Sequence, residues 1–180
     1  HTDWKSPQNI SEELQQLNTR NIRILQNPSS FQISTEKRNT DNPDRMEIKI
    51  RYPTSSLDLF IQYFAQNTSQ QPNMQFHVKL HGLVEYIDQN NDFMLDNADT
   101  VIQEMNFEGF YLHNLTQIQI AENAYMYYFE VKSNNDVLSL HFFIAESFVQ
   151  LNNATLTPAQ MKFNIQINDF PFQNRSEEPT

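Results

Sequence analysis

The chain has 180 residues, 38% of them apolar and 12% aromatic, a net charge of −10 and no cysteine. That length suits one domain with a substantial core, and an acidic balance without a dense Lys/Arg cluster speaks against a nucleic-acid backbone or an anionic membrane surface as partner. No apolar run approaches the roughly 20 residues of a membrane-spanning helix, and no disulfide pattern marks a redox compartment.

Residues 1–44 read as a polar N-terminal arm and linker. "NISEELQQL" has the capping-box spacing of Asn9 and Glu12, with Ile10, Leu14 and Leu17 on one helical face. "NIRILQ" alternates and predicts a strand, one that could be exchanged with a neighbouring molecule. "STEKRNTDNPDR" predicts an exposed linker. From Met46 onward the period is two: Met46, Ile48, Ile50 and Tyr52 alternate with Glu47, Lys49 and Arg51. "LDLFIQYF" predicts a second strand of this domain, with some helical character in its spacing. "QFHVKL" predicts a third, and Gly82 a bulge before "LVEYI".

An acidic stretch follows, and then "TVIQEMNF" and "LTQIQIAE" predict further strands. "AYMYYFEVKSNNDVLSLHFFIAESF" predicts a hairpin turning at "SNND", and "MKFNIQINDF" a closing strand. Short alternating strands with few helix signals predict an all-β fold, an antiparallel β-sandwich of jelly-roll type, over residues 45–173, with a polar tail at 174–180. With only 2 glycines against 21 Asn and 18 Gln, Asn and Asp must supply the left-handed turn positions.

The acidic stretch is "DQNNDFMLDNAD", Asp88 to Asp99. Counted from Asp88, the side-chain oxygens of Asp88, Asn90, Asp92, Asp96 and Asp99 fall at positions 1, 3, 5, 9 and 12, and Met94 offers its carbonyl at position 7. Packed carboxylates repel unless a cation sits among them, and Ca²⁺ takes six to eight oxygens from a loop folded back on itself at this spacing. A solvated Asp/Asn-rich turn is the plainer reading, but it does not account for five ligand positions matched at once. The stretch resembles the EF-hand loop, and more closely the short calcium loops of dockerins and thrombospondin type 3 repeats, which also end in Asp. The resemblance implies calcium and covers twelve residues only.

Phe93 stands where those loops have glycine, at a cost of about 1–2 kcal/mol for a left-handed residue with a Cβ. The flanks read as strands rather than helices. The expectation is therefore a structural ion of extracellular, weak-affinity type and not a conformational switch. "LVEYIDQNND", "DTVIQE" and "KFNIQINDFPF" together also resemble uncharacterised secreted or surface β-domains.

Five N-x-[ST] sequons, at Asn9, Asn67, Asn114, Asn153 and Asn174, exceed the two or three that chance would give at roughly this composition. With a chain that starts at His1 rather than Met, they predict an extracellular, N-glycosylated protein. His1 also admits a copper histidine brace, as in lytic polysaccharide monooxygenases, with His77, His81, His113 or His141 as the second ligand. His77 and His81 are expected on a solvent face, and His141 in the core. Glu85, Glu104 and Glu130 are expected as solvated strand residues rather than a glycosidase pair. No nucleophile elbow, phosphate loop or cysteine nucleophile is present. The leading expectation is a non-enzymatic, calcium-stabilised subunit of an extracellular coat, matrix or filament, a homo-oligomer or polymer formed by strand addition. A carbohydrate- or ligand-binding module with Trp4 or exposed tyrosines as stacking surfaces is the alternative, and a copper oxidase is the third.

Overall fold

A computed structural model describes residues 4–5, 20–37, 44–52, 56–66, 68–122, 124–146, 149–151, 154–156 and 161–173. A two-residue strand β1 (Trp4–Lys5) comes first. A five-stranded meander follows: β2 (Arg20–Asn27), β3 (Ser30–Lys37), β4 (Arg45–Arg51), β5 (Leu57–Phe64) and β6 (Met74–Leu80). Next is the hairpin of β7 (Gly82–Ile87) and β8 (Thr100–Asn106), which carries the acidic stretch at its tip. The second large sheet is built from β9 (Phe110–Ala121), β10 (Ala124–Ser133) and β11 (Leu138–Ala145). After the short strands β12 (Val149–Leu151) and β13 (Ala154–Leu156), β14 (Met161–Ile167) returns to pair with β11. All recorded pairings are antiparallel, and no helix occurs among the described residues.

The fold is an antiparallel β-sandwich. Phe31 and Ile33 of β3, Ile48 and Ile50 of β4 and Leu57 and Leu59 of β5 form one buried cluster with Phe129 and Val131 of β10 and Leu138, Leu140, Phe142 and Ile144 of β11. Period-two alternation puts each of these sets on a single face of its sheet, and the two faces close on each other. Aromatic rings carry the contact: Phe31 meets Phe129 across the layers at 4.7 Å, and Phe129 stacks on Phe142 at 4.6 Å. Such pairs add about 0.5–1.5 kcal/mol beyond their buried area. A smaller cluster of Met126, Phe143, Ala145 and Leu156 covers one end of the outer face of the second sheet.

Three expectations are corrected. The strand order is sequential within each sheet, β2-β3-β4-β5-β6 and β9-β10-β11 with β14 outside β11. The connections are therefore those of meanders and not the alternation between sheets of a jelly roll. Second, the sandwich reaches back to Arg20. β3 pairs along its length with both β2 and β4, and Phe31 and Ile33 are fully buried. Residues 20–37 thus belong to the domain, and "NIRILQ" pairs within its own chain.

Third, Ser34, Thr35 and Glu36, expected in a linker, are buried strand residues. Thr35 continues the inward series of Phe31 and Ile33, and Glu36 is paired with Arg23 at 3.2 Å. Polar side chains hid the period there. The "NISEELQQL" helix lies outside the described residues, as do residues 174–180.

The left-handed positions are those expected of a glycine-poor chain. No glycine has a positive φ, whereas Asn91, Phe93, Asp136 and Asp169 do. At the β10–β11 turn the Asn135 side-chain oxygen accepts from the Ser133 hydroxyl (2.6 Å) and from the backbone N–H of Val137 (3.2 Å), which lets Asp136 take φ 59°. Gly82 is needed for a different reason. A Cβ there would collide with the carbonyl oxygen of Met105 on the facing strand, so only glycine lets β8 close on the β6–β7 junction, where Phe107 N–H donates to the His81 carbonyl at 2.8 Å.

Candidate functional site: the acidic loop

The β7–β8 hairpin is tied to the body of the protein at its base. Glu85, 7% exposed, accepts from the Gln103 side chain (2.6 Å) and from the backbone N–H of Gln173 (2.9 Å), and Gln103 also donates to the Pro171 carbonyl at 2.8 Å. The chain that follows β14 is therefore clamped against the hairpin, and the acidic loop projects from a fixed base.

Within the loop the carboxylates organise the backbone. Asp88 accepts N–H groups from Asn91 (2.7 Å) and Asp92 (3.3 Å) on one oxygen and from Phe93 (2.9 Å) on the other. Asp92 accepts from Met94 (2.8 Å) and Asp96 from Ala98 (2.7 Å). Asp99 closes the circle, accepting from Gln89 (3.0 Å) and Asp96 (2.9 Å). A two-stranded hairpin cannot satisfy the N–H groups of a twelve-residue excursion by strand pairing, and side-chain oxygens supply the acceptors instead. Asn91 and Phe93 turn left-handed at φ 59° and 63°. Phe93 is 89% exposed, so its ring is not what holds it there.

The predicted ligand residues are thus drawn into one loop. The amide nitrogen of Asn90 lies 3.1 Å from an Asp92 oxygen and 3.3 Å from an Asp96 oxygen, so the side chains at positions 3, 5 and 9 converge. Most of the remaining carboxylate oxygens point to backbone N–H groups. Among the described residues no group of three or more His, Cys, Asp or Glu is arranged as a metal site. The donor set, carboxylate, amide and carbonyl oxygen without sulfur or imidazole, has the chemistry that hard cations require.

The sequence reading missed Tyr86. Its hydroxyl is held above the ordinary 10.0 by partial desolvation and then by the negative fields of Asp88, Asp99 and Asp92, so three of the loop's four carboxylates act on one phenol. The alternation of "LVEYI" gave no hint of this, because Tyr86 reads there as one more strand aromatic. Leu95 is 45% exposed and Met94 68% exposed, so the apolar residues of the loop do not anchor it to the core.

Of the sequons, Asn114 alone lies among described residues. It sits exposed on β9, its side-chain oxygen accepting from the Thr116 hydroxyl at 2.9 Å. Asn9, Asn67, Asn153 and Asn174 lie outside them, as do His1 and the side chain of Trp4. His77 and His81 are exposed, with His77 stacked on Phe60 at 4.1 Å and 3.4 Å from Asp58. His113 is exposed at 6.0 Å from Tyr111.

His141 departs from its expected place in the core. It lies on the outer face of the second sheet, with Nε2 2.9 Å from the Gln166 oxygen and Nδ1 2.7 Å from the Tyr128 hydroxyl. β11 is buried on both faces over most of its length, so alternation did not distinguish inside from outside. Burial and the neighbouring Glu130, to which it donates at 3.4 Å, push the Tyr128 hydroxyl up to about 12. Glu85 and Glu130 are buried rather than solvated, and each has polar partners: Gln103 and Gln173 for Glu85, Lys132 at 3.8 Å for Glu130. Glu104 is exposed, and the three carboxylates lie on different strands of two sheets.

No family, curated protein or solved structure matches this chain. Among the described residues no helix is long and apolar enough to cross a membrane.

Proposed function

We propose that this protein is a secreted, N-glycosylated and non-catalytic structural subunit of an extracellular assembly, its projecting hairpin stabilised by calcium. The observation that carries this reading is the left-handed Phe93 at the sixth position of the acidic loop, with Asp88 holding the three N–H groups that lead into it. The chain adopts there the turn that calcium loops reserve for glycine. The ligands would be the side-chain oxygens of Asp88, Asn90, Asp92, Asp96 and Asp99 and the Met94 carbonyl. For Asn90 this requires its amide to present oxygen rather than nitrogen to Asp92 and Asp96, a half-turn of a group whose two ends have the same shape. Calcium would supply neutralisation of the crowded carboxylates, and with it a stiffer hairpin.

The deciding experiment is a calorimetric calcium titration of the full chain beside an Asp88→Ala, Asp92→Ala variant, with thermal melts in calcium and in chelator. The expected result is binding in the range of extracellular modules, Kd about 10⁻⁴–10⁻³ M, absent from the variant. At ten times Kd the bound ion adds about 1.4 kcal/mol, and Tm rises by roughly 3–6 °C for a chain of this size. No heat and no shift in Tm at millimolar calcium would overturn the reading of the loop.

A further inference from the structure

The outermost strands of the two large sheets are not protected alike. Among the described residues β2, β6, β9 and β14 each pair with one neighbour only. β2 carries Arg20 and Arg23, β6 carries Lys79 and β14 carries Lys162, and a charge on an edge discourages pairing with another chain. β9 is the longest strand, Phe110–Ala121, and has no Asp, Glu, Lys or Arg. Its stretch Leu-Thr-Gln-Ile-Gln-Ile, residues 115–120, combines high β-propensity with no charge, no proline and no glycine. That composition favours addition of strands edge to edge. What β9 carries instead is Asn114-Leu115-Thr116, an N-x-T acceptor sequence. Register sets Asn114 opposite Glu130, on the outer face of the sheet, whereas Leu112 and Val131 pair on the core side. Residues 113–117 are all exposed. The Asn114 oxygen accepts from the Thr116 hydroxyl at 2.9 Å, and its amide nitrogen, the atom that bears a glycan, donates to no described residue.

We propose that Asn114 bears an N-linked glycan and that this glycan closes the β9 edge to other chains. This rests on the reading of the protein as secreted and N-glycosylated, and it names one sequon and what its sugar does. The donor is an oligosaccharide carried on a polyprenyl pyrophosphate. The bond from sugar C1 to the Asn114 amide nitrogen forms, the C1–O bond to pyrophosphate breaks, and the amide gives up one proton as the lipid pyrophosphate leaves. The folded sheet accommodates the product without rearrangement, because Asn114 is exposed on the outer face. A strand added to β9 would lie about 4.8 Å away. Its own outer-face side chains would come within about 4.5–5.5 Å of Asn114. A branched oligosaccharide rooted at Asn114 fills that space and excludes the incoming strand. It does by bulk what Arg20, Arg23, Lys79 and Lys162 do by charge on the other edges. Assembly is thereby left to other surfaces of the molecule.

The test uses the full chain secreted from a eukaryotic cell, wild type beside Asn114→Gln and Asn114→Lys. Both variants lose the sequon, but only lysine returns a charge to the edge. Occupancy is read by peptide mass mapping after enzymatic release, which converts a glycosylated Asn to Asp. Association is read by sedimentation velocity at one protein and calcium concentration, with a dye that reports added sheet. The expected result is an occupied Asn114 in the wild type. Asn114→Gln should be lost from the wild-type boundary to larger, dye-binding species, while Asn114→Lys should sediment as the wild type less its glycan. An unmodified Asn114 beside glycans on other sequons overturns the proposal and leaves the reading of a glycosylated protein standing. So does an occupied Asn114 if Asn114→Gln sediments as the wild type does, or if Asn114→Lys associates as strongly as Asn114→Gln. No glycan at Asn9, Asn67, Asn114, Asn153 or Asn174 overturns both.

Discussion

The sandwich and the acidic loop are folded by opposite means. Between β3, β4 and β5 and the facing β10 and β11, residues such as Phe31, Phe129 and Phe142 are wholly removed from water and stack ring on ring. Hydrophobic burial of this kind is non-directional, and with no charges involved it does not depend on a modest change of pH. From Asp88 to Asp99 most side chains are exposed, and the backbone is held by carboxylates that accept its N–H groups. Each of those bonds contributes little net in water, and the charges that make them repel one another. The first region persists without help. The second gathers like charges on a backbone that they also hold, so on the reading proposed above it is the region whose stability a cation would change, and the core is not.

The largest effect that separates the two regions is in the core. Phe129→Ala should cost about 3–5 kcal/mol, read as a fall in the urea midpoint, and the loss should be the same in calcium and in chelator. A loss that depended on calcium would mean that loop and core unfold as one unit. The opposite change is Phe93→Gly. The ring is exposed and its backbone is left-handed, so glycine removes a conformational cost of about 1–2 kcal/mol without leaving a cavity. Calcium affinity should rise about 5- to 30-fold by calorimetry, with little change in the chelated protein. Unaltered affinity would show that the ion, if it binds, does not use this turn.

The contrast also marks what was legible from residues alone. Period two revealed strands from Met46 to Ile167, and where side chains alternate cleanly, as in β4 with Met46, Ile48 and Ile50, the inward face was readable as well. It failed where the code is mixed. β3 follows Phe31 and Ile33 with Thr35 on the core side and carries buried Ser34 and Glu36 on the other, so its polar end passed for a linker, and β11, apolar on both faces, gave no sign that His141 points outward.

The loop's regular spacing of side-chain oxygens was visible because all of them lie within twelve consecutive residues, Asp88 to Asp99. The clamp of Glu85 and Gln103 on the segment at Pro171 and Gln173 was not, since those partners are up to 88 residues apart and nothing in a single sequence pairs them. Sheet connectivity was hidden for the same reason. Strand patterns give faces, whereas neighbours are chosen by pairings between distant segments.

The smallest effect divides the regions most finely, because each holds a tyrosine whose hydroxyl resists ionisation for a different reason. Tyr52 is pushed up to about 12 by burial, and its hydroxyl has no hydrogen-bond partner among the described residues. Its neutral form is favoured in the folded state, so its contribution to stability is complete below pH 10 and is lost as pH rises from 10 towards 12, where the unfolded chain ionises first. Tyr52→Phe should remove that part of the alkaline loss and, by deleting an unpaired buried hydroxyl, should be close to neutral at pH 7.

Tyr86 is raised by partial desolvation and, beyond that, by Asp88, Asp99 and Asp92. A cation among those carboxylates cancels the second cause and leaves the first. In a phenolate absorbance titration, calcium should therefore lower the ionisation that disappears in Tyr86→Phe, and leave unmoved the one that disappears in Tyr52→Phe. If both stay put, the loop carboxylates have not been neutralised, and calcium is not bound among them.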